Sequence, residues 1–436
     1  MANSILTIDM ITRKALEILE NNLVLTRNVN RQYDDSFAVE GAKIGSTLRI
    51  RLPDRALVTD GAALQVQDDN EQFTTLTVSS QKHIGVNFTS AELTMQLDDF
   101  AERVLKPRIS QLASSIDADV ANAFKQIGNT VGTPGTTPAT SLVLLQAQQK
   151  LNENAAVMSP RYATVNPAAN AGLVEGMKGL FNPTDTISKQ FKNGMMGMGV
   201  LGFDEINMSQ SIKQFTCGTR DATGGTLSAA VTAEGATTIA VTGAGANDTI
   251  KLGDVFTVAD CFAVNPQTRE STGSLFQFVA LADATAVSGT WTVTVAPMYS
   301  AAHALATMTA LPLINAVVTF VGTASTAYAQ NLVYHKDAIT FATADLLLPQ
   351  GVDMAARAVH NGISLRIVRQ YDINNDRMPC RIDVLYGFNT IRPQMGVRLW
   401  GGLNGGFGPL LHIYFERISS WLSLMAQVVI KSATVT

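Results

Sequence analysis

The sequence predicts an α+β protein interrupted by an all-β segment, and three observations carry that reading. Thr89 to Ile127 holds the longest unbroken amphipathic pattern: Leu93, Leu97, Phe100, Val104, Ile109, Leu112, Ile116, Val120, Phe124 and Ile127 recur mostly at three- and four-residue steps. Short helical and strand-like runs alternate in residues 140–217 and again in 331–400. Between them the style changes: from about Gly218 to Ala329 come β-rich runs (TTIAVTG, DVFTV, FAVNP, LFQFVALA, TWTVTV) divided by Gly, Asn, Asp and Pro. That spacing belongs to a small barrel or sandwich. Because 331–400 matches 140–217 in style, the β segment reads as inserted into a host domain.

In order, residues 7–24 carry Ile11, Ala15, Ile18, Leu19 and Leu23 at helical spacing, followed by the polar stretch VNRQYDDSFAVEGAKIG. In STLRIRLPDRALV, Leu48, Ile50 and Leu52 alternate with Arg49 and Arg51, the period of a strand. Pro53 to Phe88 is polar and strand-prone, and we read it as a long two-stranded excursion that needs a partner to lie against. The amphipathic stretch then predicts a helix about 55 Å long. Thr89 and Glu92 form a capping box, and Gly128 with the Gly/Pro/Thr run 132–138 ends the helix. Pro107, inside it, presses on the carbonyl of Arg103 and predicts a bend.

Beyond it, Ser141–Asn152 reads as a helix and RYATVN as a strand, and Asn166-Pro167 as the cap and first turn of a helix through Lys178. Residues 191–202 form a Gly/Met-rich loop. Between Ala284 and His335 there is no Asp, Glu, Lys or Arg. Pro312, Asn315, Gly322 and several Ser/Thr interrupt any membrane span there, so burial in a β core or subunit contact is the reading. NLVYHKDAITFATADLLLP is strand-like, 351–360 a turn or short helix, and 364–371 and 380–387 two strands joined by a loop. GGLNGGFGP (401–409) is a linker, and Leu411 to Val429 carries an amphipathic helical stripe that docks on protein rather than crossing a membrane.

Composition narrows the function classes. The chain has 436 residues, net charge −4 and 16% charged residues, against roughly 25% in an ordinary soluble domain. Such a chain hides much of its surface in subunit contacts. No Lys/Arg run reaches five, so a dedicated nucleic-acid surface is not expected. Cys217, Cys261 and Cys380 are far apart and odd in number, which fits a reducing compartment. The N-terminus is no signal peptide, and a cytoplasmic protein is expected.

Catalysis finds no motif. Gly197-Met-Gly199-Val-Leu-Gly202 satisfies G-x-G-x-x-G, but its flanks give neither the strand nor the helix of a dinucleotide site. Asp372, Asn374, Asp376 and Asp383 superficially match a calcium loop, yet Arg377 stands where the sharp turn needs Gly. The five histidines form no ligand pair. No enzyme, cofactor or metal is expected.

ITRKALEILENNL, VNRQYDDSFAVEGAKIGSTLRIRLPDR, RYATVNPAANAGL, LGFDEINMSQ and RMPCRIDVLYGFNTIRPQMGVRLWG together resemble segments of tailed-bacteriophage major capsid proteins, in the branch of the phage P22-like coat proteins. The likeness runs in order from about residue 4 to 401. KLGDVFTVADCFAVNPQTRESTGSLFQFVA is similar too. The resemblance implies a Hong Kong 97-type fold: an N-arm (1–35), an E-loop (36–88), the peripheral (P) domain's spine helix with its following loop (89–139), the first part of the axial (A) domain (140–217), an inserted β-barrel (218–330) and the rest of the A and P domains (331–400). Residues 401–436 hold the linker and a C-terminal segment of unassigned role.

It further implies a subunit that self-assembles into the hexamers and pentamers of an icosahedral head. Such a shell encloses phage DNA without sequence-specific binding, works with scaffolding and portal proteins, needs no membrane, and is built in the host bacterial cytoplasm. Some relatives crosslink through an E-loop lysine. Lys82 is the only lysine between residues 44 and 88, at the end of the excursion, so noncovalent assembly is expected. Arg49, Arg51, Asp54 and Arg55 are the candidate inter-subunit contacts, and Pro107 the place where the spine changes shape during expansion. A different self-assembling phage protein or nanocompartment, and a nucleotide-binding enzyme on the Gly/Met loop, are the competing readings.

Overall fold

A computed structural model of the chain describes residues 8–33, 46–53, 72–88, 101–176, 197–220, 224–245, 247–373 and 378–402, with positions 55, 56, 58, 61, 62 and 66 of the excursion. The fold is mixed α+β. Its N-terminal helix α1 (Ile8–Asn22) buries Ile11, Ala15, Leu16 and Leu19. A single α-helical turn, Leu25–Asn28, comes next, and three longer helices follow among the described residues: α2 (Lys106–Val120), α3 (Ser141–Glu153) and α4 (Pro167–Gly176). The Asn166 side chain accepts from Ala169 N–H at 2.8 Å, the cap that the Asn-Pro pair predicts.

The expected spine is not one α-helix in its described part. Residues 89–100 lie outside the described residues. Ala101–Leu105 winds as a π-turn, Lys106–Val120 as α, and Ala121–Gln126 as 3-10, before Ile127 turns extended. Pro107 stands in the first turn of α2. With no N–H it cannot bond the Arg103 carbonyl, and the wider π-turn lies immediately before it. The apolar stripe packs as the periodicity demands: Ile109, Leu112, Ala113, Ile116 and Val120 are buried.

The described strands form three six-stranded sheets, with two-stranded pairs beside them. The first is centred on Met378–Thr390, the longest strand; Ser80–Phe88 pairs along one edge of it, and Ile339–Ala344 and Ile363–Arg369 along the other. The second runs through Thr130–Val131, Gly396–Leu399, Asn331–His335, Arg161–Val165, Phe203–Met208 and Gly197–Val200. The third, wholly antiparallel, lies between Gly225 and Phe320 and encloses its own core around Trp291, Phe256 and Phe278.

Several elements differ from the sequence reading. Residues 351–360 contain a strand, Met354–His360, rather than a turn or helix, because pairing with Ile363–Arg369 sets their conformation. The run after Asn331 breaks into Asn331–His335 and Ile339–Ala344 at a 3-10 turn. The excursion is two-stranded only from Ser46–Arg51 with Phe73–Val78; Ser80–Phe88 belongs to the first sheet. Asn30–Tyr33, within the polar stretch after the first helix, pairs in parallel with Ile339–Ala344. The helical stripe expected at 411–429 lies outside the described residues.

The N-terminal segment is held by one buried carboxylate. Asp117 of α2 accepts from Val24 N–H (2.7 Å), Thr26 N–H (2.9 Å), Leu25 N–H (3.4 Å) and the Thr26 hydroxyl (2.6 Å). Burial pushes its carboxyl up, and these donors pull it back down. Asp117→Ala leaves buried donors unmet, each at about 1–3 kcal/mol. We expect a loss of about 2–4 kcal/mol in urea unfolding, with early proteolysis between residues 23 and 33.

Candidate subunit-contact surfaces

The two-stranded ribbon is the first candidate. Arg51 stands opposite Phe73 in its register, and one further backbone bond, Leu52 N–H to Gln72, continues the ladder outward. Its inner face packs on the first sheet: Leu76 and Val78 are buried against Ala342, Ala344 and Leu385, with Leu48 and Ile50 beside them. Asn389 donates to the Thr75 carbonyl at 2.8 Å and secures that contact. Outward, cover stops. Phe73 is 50% exposed, Val66 83% and Val58 94%.

The four sequence-predicted contact residues do not form one group. Arg49 and Arg51 lie on the exposed face, with the Arg49 guanidinium 3.9 Å from the centre of the Phe73 ring. Asp54 lies outside the described residues. Arg55 is half-buried, and burial together with the like charges of Arg392 and Arg269 pushes its pKa down. Lys82 is engaged within the chain: its amine is 2.6 Å from Asp119 and donates to Ser115 Oγ at 2.6 Å.

The N-terminal segment is in residues 8–33 built into its own body. Glu20 meets Arg31 (3.3 Å), Asn361 (2.6 Å) and His360 (3.3 Å); Arg27 meets Glu205 at 3.0 Å; Asn30 donates to Asp337 at 2.9 Å.

A third surface is the neck between the segment that carries the third sheet and the rest, which sequence reasoning did not find. The chain leaves through Gln214–Thr216 and returns through Ala327–Ala329, and the two crossings pair antiparallel. Three buried charges sit there. Asp254 accepts from Gly218 and Lys251 N–H, and lies 3.5 Å from Arg220, which donates to the Val321 carbonyl at 2.7 Å. Arg398 spans the joint, donating to the carbonyls of Ile127 and Gly253 at 2.8 Å each, and burial pushes its pKa down to about 9. Gln277 and Thr130 exchange a backbone-to-amide bond at 2.7 Å and an amide-to-hydroxyl bond at 2.8 Å. Gly218 has no room for a side chain, since a Cβ there would lie 2.0 Å from the Thr249 carbonyl oxygen.

The motifs with catalytic overtones resolve into structure. Gly197–Val200 and Phe203–Met208 are two strands of a hairpin, and Gly199, Leu201 and Gly202 take positive φ around its turn. No helix follows to receive a phosphate. Asp383 is buried and paired with Arg366 and Arg381, both at 2.6 Å; residues 374–377 lie outside the described residues. Among the described residues no metal-binding group of His, Cys, Asp or Glu is present, and no helix is long and apolar enough to cross a membrane.

The family model described as "P22 coat protein - gene protein 5" matches residues 1–401. No curated protein matches the chain. Among solved structures the chain is similar to one from Mycobacterium phage Che8 (12% identity, TM-score 0.43, covering 86% of this chain and 90% of that one). It is also similar to the capsid of the cyanophage P-SCSP1u (12%, 0.40, 86% and 87%) and to a virus-like particle from Pyrococcus furiosus (9%, 0.36, 89% and 97%).

Two outcomes follow from the neck and the thiols. Asp254→Ala leaves Arg220 and Arg398 buried without their carboxylate, and denaturant unfolding should register a loss of about 3–5 kcal/mol. Burial pushes Cys217 and Cys261 to about 11 and Cys380 to about 12. The unfolded chain therefore gives up its thiol protons first, so the thiol contribution to stability is present below pH about 9 and is lost as pH rises through about 11 for Cys217 and Cys261 and about 12 for Cys380. Alkylation at pH 8 should be slow in the folded protein and fast in urea.

Proposed function

The chain belongs to the P22 coat protein family, and from that membership and the geometry above we infer how it acts as a major capsid protein, the structural subunit of a phage head shell. Subunits join as hexamers and pentamers of an icosahedral head, in the layout of a Hong Kong 97-type fold. Residues 36–88 serve as the E-loop, 89–139 as the spine of the P domain, 140–217 and 331–400 as the A domain and the remainder of the P domain, and 218–330 as an inserted barrel. The barrel reading is supported by the bond from Leu281 N–H to the Thr294 carbonyl (2.8 Å), which draws together the two outer strands of the third sheet.

The ribbon carries the reading. A two-stranded ribbon is marginal in water by itself, and this one has cover for its root but leaves Phe73 half-exposed under Arg49 and Val66 and Val58 largely exposed. Neighbouring copies supply that cover, at roughly 1,600 Å² for a standard interface. Residues 1–35 act as an N-arm whose described part is a docked brace on its own subunit. Assembly is noncovalent, since the Lys82 amine is held by Asp119 and Ser115. The shell forms in the host bacterial cytoplasm with scaffolding and portal proteins, and encloses double-stranded DNA through its closure rather than through base contacts. The net charge of −4 supports that passive role.

Electron microscopy of the expressed chain tests the reading. Closed shells are expected from the full sequence. Replacing residues 53–71 by a two-residue turn should leave a folded subunit of normal circular dichroism that forms no shells. A full-length chain that stays monomeric at high concentration, or a shortened one that assembles equally well, would refute it.

A further inference from the structure

The neck holds more than its ion pair. Asp254 stands at the turn before Val255–Val264, Gln330 between the returning crossing and Asn331–His335, and Arg398 on Gly396–Leu399 of the second sheet. These three residues, from three separate elements, line one small cavity. None is more than 2% exposed. Each side chain is held by part of its polar group and has one polar atom left over. Asp254 accepts through Oδ2 from Gly218 N–H (3.0 Å) and Lys251 N–H (2.8 Å). Gln330 donates through Nε2 to the Tyr328 carbonyl at 3.0 Å. Arg398 donates through Nε to the Ile127 carbonyl and through Nη1 to that of Gly253, at 2.8 Å each. Asp254 Oδ1, Gln330 Oε1 and Arg398 Nη2 are buried and, among the described residues, make no hydrogen bond. Arg220 Nη1 lies 3.5 Å from Asp254 Oδ1, which gives that oxygen a nearby charge without a hydrogen bond. Polar atoms buried without a partner are costly, and here three border the same space.

We propose that this cavity is a binding site for one water molecule, which accepts from Arg398 Nη2 and donates to Asp254 Oδ1 and Gln330 Oε1. The water thereby ties the segment carrying the third sheet, the returning chain and the second sheet to one another. The donor set selects it. A carboxylate oxygen and an amide oxygen only accept, and a guanidinium only donates, so the ligand must donate twice and accept once. Chloride would face two acceptor oxygens, and a metal cation would face the guanidinium. The cavity leaves about 10 Å³ for the centre of a water-sized sphere, which is room for a buried water, and three hydrogen bonds is the usual number for one. A bridging water is nearly as good as a direct bond, so the joint keeps its direction although these side chains do not meet.

The test is an experimental structure of the full chain, as subunit or as shell, at a resolution that shows ordered water, for wild type and for Gln330→Met. Methionine keeps the length of the side chain and removes the amide oxygen. Wild type should show one peak within about 3.2 Å of all three atoms, and Gln330→Met should lose it. The wild-type map decides the question even if the variant does not fold. No peak there, with Arg398 Nη2 bonded directly to Asp254 Oδ1 or Gln330 Oε1, would overturn the proposal. So would a peak that persists unchanged in Gln330→Met, since Gln330 would then be no ligand. Exchanging chloride for bromide in the buffer separates the remaining case: a peak that rises to bromide height is an anion, which also overturns the assignment, and one that stays at the height of water supports it.

Discussion

Two carboxylates on one helix hold the described structure together. Asp117 and Asp119 are two residues apart, so at about 100° per residue they leave α2 in nearly opposite directions. Asp117 faces inward and gathers the turn after α1. Asp119 faces the first sheet, where it takes the Lys82 amine at 2.6 Å and the Tyr386 hydroxyl at 2.7 Å. Helix α2 is thereby a strut between the N-terminal brace, the strand at the root of the ribbon and the longest strand of the sheet. Apolar packing along Ile109, Leu112 and Ile116 fills the space, but it is non-directional. The paired acids supply the direction.

Much of this was legible in the chain. The stripe of α2, helices α1 and α3, the strand at Arg161–Val165 and the Asn166 cap all follow from periodicity and local chemistry, which act within a few residues. What escaped depends on distant partners. Asp117 lies on the buried stripe one turn beyond Ala113, where an acid looks like an interruption of the pattern rather than its anchor. Met354–His360 contains Arg357 and Ala residues with weak strand preference, and becomes a strand through pairing with Ile363–Arg369. Arg49 and Arg51 sit where alternation put them, on the exposed face. Arg55 lies just past Pro53, beyond the alternating run, and turns inward instead.

The segment that carries the third sheet is largely self-contained. Its strands bond mainly to one another and surround a separate core, so its stability is largely its own. What the host must supply is orientation. The neck does this with Arg398, Asp254 and the Gln277–Thr130 pair rather than with a broad apolar contact. Breaking a buried ionic joint is costly and its geometry is directional, so the β segment is set at a definite angle.

Charge economy connects these features. Only 16% of the chain is charged, and among the described residues ion pairs join the N-terminal brace to the body (Arg27–Glu205) and the strand after the ribbon to α2 (Lys82–Asp119). These few contacts are directional where apolar packing is not: Asp117 fixes how the N-terminal brace lies on α2, and Asp119 fixes how α2 lies on the first sheet.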